Sequence, residues 1–333
     1  MALDPDRRGA LLAAKTRALV ADHVGGDLGD SGATPFPGGA AMVLGADAWV
    51  LLDEHPATSL GRALAWGDQQ GCDRTHVLVD DHDAAAVVAR RAGHFTGAVE
   101  VWEVHGRSLR PAVAAAVPAV VDPRPEALVL AADLVDAGAD VVVEHGVVLG
   151  EIEGLEVARV VEDDDGRCRL EVGVGRNDRE AFAMVHGEVP TAEALAHVVA
   201  TVASHRRADQ PAHPLNRLAP ERWLRRRLVD DPALVGATHL DVVEGTVARR
   251  SAQDRAAAMA VGARPDGSPL VVAASVGIDL DLVPAAADAR AVHRPDAELV
   301  IVVPPRDDHA VTRRLAARLR QPATVVPVGT SVP

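Results

Sequence analysis

Short runs of Val, Leu, Ile and Ala alternate along the chain with segments in which apolar residues return every three or four positions. The first rhythm marks strands and the second marks amphipathic helices. Leu11, Leu12, Leu19 and Val20 place a helix over Asp6–Val24, and Gly25 and Gly26 end it. A loop rich in Gly, Pro, Ser and Asp follows. Strands are predicted at Ala41–Leu44 and Trp49–Leu52, a helix at Leu60–Trp66, a strand at Thr75–Val79, a helix at Ala84–His94 and a strand at Ala98–Val104. This ββαβαβ order belongs to an α/β protein with mixed sheets flanked by helices.

A proline-punctuated segment, residues 111–124, reads as a linker. Beyond it, Pro125–Ala137 reads as a helix with Pro in its first turn, where the missing N–H costs little. Asp140–Glu144 is a strand. Two strand-like runs between Gly154 and Val172 then flank the acidic turn Asp163–Gly166. A charged loop and a long amphipathic helix reaching His205 complete this central α+β segment. After a proline-rich connector the pattern predicts a helix at Glu221–Val229 and strands at Leu240–Val247, Ala258–Val261 and Leu270–Val272. Helix Pro284–Val292, strand Leu299–Val303, helix His309–Leu319 and strand Ala323–Val328 close the chain.

The two ends match. Ala41–Ala46 aligns with Ala258–Ala263, and the helices beginning at Ala84 and His309 share an arginine pair and the same apolar spacing. The expected organisation is an N-terminal α/β unit (1–110), the linker (111–124), a central hairpin–helix unit (125–210) and a C-terminal α/β unit (211–333) related to the first.

Composition narrows the chemistry. The net charge is −14, from 48 acidic against 34 basic residues, and Lys15 is the single lysine. Nucleic-acid binding by a generally basic surface is therefore disfavoured, although a local arginine cluster suffices for it. Aromatics make up 2% of residues and Tyr is absent, which removes the usual stacking platforms for single strands. Cys72 and Cys168 lack metal-ligand spacing and form no secreted disulfide framework. No segment has the length or character of a signal peptide or spanning helix, so a cytoplasmic protein that does not engage the membrane is expected. No HExxH zinc pair, GxSxG elbow or Walker loop is present.

Three stretches carry candidate chemistry. Glu156 and Glu171 lie on the two strands of the central hairpin. A carboxylate pair so placed suits a divalent cation, with Glu144 as a third ligand. The same spacing also fits two glutamates on a solvent face. The loop Gly173–Glu180 offers Arg176 and Arg179 to grip a phosphate or carboxylate, or to pair with the acids beside them. Arg217 precedes a helix on which Arg222, Arg225 and Arg226 share one face and Trp223, Leu224 and Leu228 the other. Arg227 falls between the apolar positions, where it needs a buried partner or a bound anion, or else snorkels to solvent.

Strands with an acid in one and an acid early in the next, followed by a helix, resemble in layout the restriction-endonuclease-like PD-(D/E)XK fold. The resemblance implies catalytic roles for Glu156 and Glu171 and Mg²⁺ as cofactor. Its lysine is absent: Glu171 is followed by Val172 and Gly173. The expectation is thus a largely degenerate nuclease-like scaffold associated with nucleic acid or regulation. The alternatives are a non-enzymatic protein that binds partners or forms homo-oligomers, and a small-anion or nucleotide-binding protein using Arg176, Arg179, Arg217 and Arg227.

Overall fold

A computed structural model of the chain describes residues 4–175, 179, 191–207, 213–249, 251, 254 and 256–329. The protein is α/β, with three sheets flanked by helices. Two compact units are formed, each from separated stretches: residues 1–117, 279–288 and 309–324 in one, and 118–278, 289–308 and 325–333 in the other. The first break lies within the proline-punctuated segment, and residues 125–210 share a unit with most of 211–333.

The first unit holds a six-stranded sheet in sequence order: β1 (Thr34–Phe36), β2 (Gly39–Leu44), β3 (Asp47–Leu52), β4 (Arg74–Val79), β5 (Ala98–His105) and β6 (Ser108–Pro111). Strands β3, β4 and β5 run parallel; the outer pairings are antiparallel. With helices α2 (Leu60–Gln69) and α3 (His82–Ala92) between the parallel strands, the ββαβαβ order is present. Strands β1 and β6 were not legible in the pattern. Both are short edge strands carrying a proline, Pro35 and Pro111, the setting in which a missing N–H is tolerated. Helix α1 (Pro5–Val24) buries Leu19 and Val20 beside Met42, Trp49 and Leu78.

Charged groups fasten this unit internally. Arg90 grips Asp288 through Nε and Nη2, both at 2.8 Å, and the fully buried Arg91 reaches Asp288 at 3.2 Å and Asp281 at 2.8 Å. Asp281 also accepts the Gly61 N–H. Gly61 is required there: a Cβ would stand 1.8 Å from the Leu280 carbonyl oxygen.

The second unit holds two sheets. One is four-stranded and antiparallel, ordered β10-β9-β8-β7, from β7 (Asp140–Glu144), β8 (Val147–Ile152), β9 (Leu155–Glu162) and β10 (Cys168–Val172). The expected hairpin is β9–β10. Strand β8 corrects the reading, which passed from β7 directly to the hairpin. Glu144-His145-Gly146-Val147 is a two-residue hairpin turn, with φ of 52° at His145 and 75° at Gly146, and β8 returns from it. The expected helix over Pro125–Ala137 is two short ones, α4 (Pro125–Val129) and α5 (Ala131–Asp136). Helix α6 (Thr191–His205) packs Leu195, Val199 and Val202 against β9 and its neighbours.

The other sheet is ordered β11-β12-β13-β14-β15, from β11 (His239–Val243), β12 (Ala258–Ala263), β13 (Pro269–Ala274), β14 (Glu298–Val303) and β15 (Thr324–Pro327). Strands β12 and β13 are antiparallel and β13 and β14 parallel, the sequence of senses found in β2, β3 and β4. Helices α8 (Leu282–His293) and α9 (Ala310–Ala317) follow β13 and β14 in the chain. Helix α7 (Pro220–Asp230) packs Trp223, Leu224 and Leu228 into this sheet's core and turns Arg222 and Arg225 to the four-stranded sheet. Among the described residues, no helix is long and apolar enough to cross a membrane.

Candidate functional site

The amphipathic pattern of α7 explains how the site forms. Its apolar face is consumed by the five-stranded sheet, so Arg222 and Arg225 become buried on the other side. Buried guanidinium groups need carboxylates, and β7 and β8 supply two. Arg222 donates to Glu151 Oε1 at 2.7 Å and to Glu144. Arg225 donates to Glu151 Oε2 at 2.9 Å and to Glu144 Oε1 at 3.2 Å. The four side chains close a ring in which each acid binds both arginines. Burial pushes the Glu151 carboxyl up, but Arg225 and Arg222 outweigh it and hold the group below its usual range. Burial likewise opposes the charge on Arg222, while Glu151 and Glu144 keep its pKa above the ordinary value.

Helix α7 approaches the sheet closely because Gly154 turns the chain between β8 and β9 with φ of 72°. A Cβ there would lie 2.5 Å from the Arg222 carbonyl. The helix start is fixed by the fully buried Arg206. It donates to the carbonyls of Glu153 (2.8 Å), Leu215 (2.6 Å), Leu218 (2.9 Å) and Ala219 (3.3 Å), and its guanidinium lies 4.8 Å from the Trp223 ring centroid. Burial lowers its pKa to about 10. Ala219 takes a left-handed conformation, φ 41°, directly before Pro220. That is a costly backbone for a residue with a side chain, and the Arg206 contact helps hold it.

On β9 the alternation of side chains is reset. Opposite β8, Glu151 pairs with Glu156 and Gly150 with Ala158, so β9 carries one extra residue, Val157, in a bulge. Glu156 and Arg159, three apart, therefore meet on one face: Arg159 donates from Nε at 2.7 Å and Nη2 at 3.0 Å. The Glu156 hydrogen bond raises the Arg159 pKa. Glu171, opposite Arg159 on β10, accepts from Arg169 at 2.7 Å. Arg179 links the two acids, donating from Nη1 to Glu156 Oε1 at 2.9 Å with Nε 3.7 Å from Glu171 Oε2.

Glu156 and Glu171 thus share a guanidinium, and Glu144 belongs to the separate Arg222–Arg225 ring. Among the described residues, no group of three or more His, Cys, Asp or Glu side chains is placed to hold a metal ion. Arg179 reaches the candidate site, while Arg176 lies outside the described residues. Arg217 and Arg227 are exposed and do not line the site. Of the alternatives for Arg227, the helix turns it to solvent, and it buries Arg222 and Arg225 instead.

These groups surround a cavity of about 220 Å³ in the second unit. Glu144, His145, Glu156, Arg159, Arg179, Arg222 and Arg249 are among the residues that line it. Among the described residues, four arginines and two glutamates line it. Arg249 comes from the segment after β11. Its Nη2 donates to the Ala256 carbonyl. Its Nη1 is buried without a hydrogen-bond acceptor among the described residues, with Glu221 Oε2 at 3.8 Å. Burial, then the like charge of Arg222, lowers the Arg249 pKa to about 10. Arg222 Nε is a second buried donor without a hydrogen-bond acceptor among the described residues.

Sequence reasoning missed Arg249, Arg159 and Glu151. Glu151 left a trace as a lone acid in the apolar run Val147–Ile152, which requires a cationic partner once that run is a central strand. Comparison of the chain with protein-family models, curated proteins and solved structures finds no match.

Proposed function

We propose that this protein binds a small anion in the cavity lined by Arg159, Arg179, Arg222 and Arg249. The observation that carries the reading is that Arg159, Arg179, Arg222 and Arg249 line one cavity from four separate chain segments. Guanidinium groups gathered in this way suit an oxyanion, which accepts charge-assisted hydrogen bonds from them. Guanidinium donors held in place by ion pairs are preorganised, so binding forfeits little side-chain entropy. The carboxylates of the hairpin are better matched to positioning these arginines than to holding Mg²⁺, because Arg159 and Arg179 neutralise Glu156.

Titration calorimetry with inorganic phosphate at constant ionic strength tests this reading. Saturable heat with one site per chain is expected. Heat that scales with ionic strength alone, without saturation, removes the proposal.

A second reading is phosphodiester cleavage on the nuclease-like scaffold. Its support is the placement of Glu156 and Glu171 on one face of the β9–β10 hairpin, beside Arg159. Under that reading Mg²⁺-dependent cleavage of DNA is present and Glu171→Gln abolishes it. Absence of cleavage by the wild-type chain removes it.

A further inference from the structure

The cavity offers more than positive charge, and its two kinds of polar group narrow the ligand. Resting on the anion-binding reading, we propose that the ligand is a small phosphorylated polyol: a phosphate monoester whose organic part carries hydroxyl groups.

The donors set the anion. Arg159, Arg179, Arg222 and Arg249 line the cavity from four different chain segments, and the forks of Arg159 and Arg222 are already committed to Glu156 and to Glu151 with Glu144. A carboxylate is planar and is served best by both prongs of a single guanidinium. Single N–H groups arriving from separate arginines suit a tetrahedral group, whose oxygens point in several directions.

The acceptors set the organic part. Glu144 and Glu156 line the same cavity, and an ionised carboxylate only accepts. Each carboxylate has about four lone-pair sites. Glu156 takes two donors from Arg159 and one from Arg179, and Glu144 takes one each from Arg222 and Arg225. Acceptor capacity remains on both, and a hydroxyl is the neutral donor that uses it without adding charge. A second anionic group is repelled by these two acids. The acids behind the lining, Glu221 near Arg249 and Glu244 beside the His145 N–H, act in the same sense.

Volume sets the upper limit. A cavity of about 220 Å³ is below the roughly 300–1,000 Å³ of sites that enclose drug-sized ligands. It admits a phosphate with a few carbons and does not enclose a nucleoside triphosphate.

Thermal unfolding of the full chain tests the proposal with four probes at equal concentration and ionic strength: glycerol phosphate, inorganic phosphate, acetate and ATP. Glycerol phosphate is expected to raise Tm most, inorganic phosphate less, and acetate and ATP least. In Arg249→Met and Arg249→Lys the glycerol phosphate shift is expected to vanish and to shrink, respectively, with unliganded Tm within a few degrees of wild type. Equal shifts from phosphate and glycerol phosphate overturn the polyol assignment. An acetate shift matching phosphate overturns the tetrahedral one, and a larger shift from ATP overturns the size limit. Those three results leave anion binding standing. If no probe shifts Tm, the anion-binding reading itself falls.

Discussion

Arg179 donates from Nη1 to Glu156 Oε1 across 2.9 Å, joining a residue beyond β10 to the bulged strand β9. The contact decides what the hairpin acids do. A carboxylate already holding Arg159 through two hydrogen bonds and Arg179 through a third is an anchor for guanidinium groups. Glu156→Gln should therefore weaken phosphate binding by about tenfold, through looser arginines rather than a lost ligand contact. That corresponds to about 1.4 kcal/mol. Calorimetry with the variant checks it. Stronger phosphate binding on removing this acid would show that Glu156 acts mainly by repelling the anion.

The ring of Glu144, Glu151, Arg222 and Arg225 predicts a large and asymmetric stability effect. Glu151→Gln leaves two buried arginines short of countercharge and should destabilise the protein by about 3–5 kcal/mol. The double replacement Glu151→Leu with Arg225→Leu should cost less than the sum of the two single changes, because each single change strands its partner. Chemical denaturation of the four proteins measures the difference. Additive losses would mean the ring is not coupled.

Arg206 should tolerate no substitute. Lysine preserves the charge but supplies a compact ammonium where a planar fork serves four carbonyls and faces Trp223. Arg206→Lys should lose at least about 2 kcal/mol, since unsatisfied buried carbonyls cost about 1–3 kcal/mol each. A denaturation midpoint equal to wild type would contradict this clamp.

In the first unit, Asp281 sets a pH dependence. Burial raises its folded-state pKa from 3.8 to about 7 despite Arg91 and the Gly61 N–H, with Asp279 adding to the rise. A carboxyl whose folded pKa lies above its unfolded one contributes stability below the unfolded value. That contribution is lost as pH climbs through the folded value. Relative to Asp281→Asn, the wild type should lose on the order of 2–4 kcal/mol between about pH 4 and pH 8. Parallel stability curves across that range would contradict it.

Most of the fold could be read from the chain because it is written in local rhythm. Apolar runs such as Thr75–Val79 and Glu298–Val303 are strands, and the three-to-four spacing in α3 and α7 is helical. What escaped reading was set by neighbours. Strand β8 looked like a continuation because its turn is His-Gly rather than Asn-Gly. The edge strands β1 and β6 hid behind prolines. The site was legible in parts: the shared face of Glu156 and Glu171 and the polar face of α7 were visible, and Arg179 was identified. That Arg222 and Arg225 are buried, while Arg227 is not, depends on which sheets lie above and below α7. Arg249 carried no local signal, because its role comes from its place beside Glu221 and in the lining of the cavity.

The most direct test of anion binding observes the arginines themselves. In a proton–nitrogen spectrum of the arginine Nε–H groups, phosphate should shift Arg222 and Arg249 saturably at one equivalent of sites. The exposed Arg217 and Arg227 should move only as they do with sodium chloride. Movement of Arg217 and Arg227 while Arg222 and Arg249 stay fixed would contradict the account.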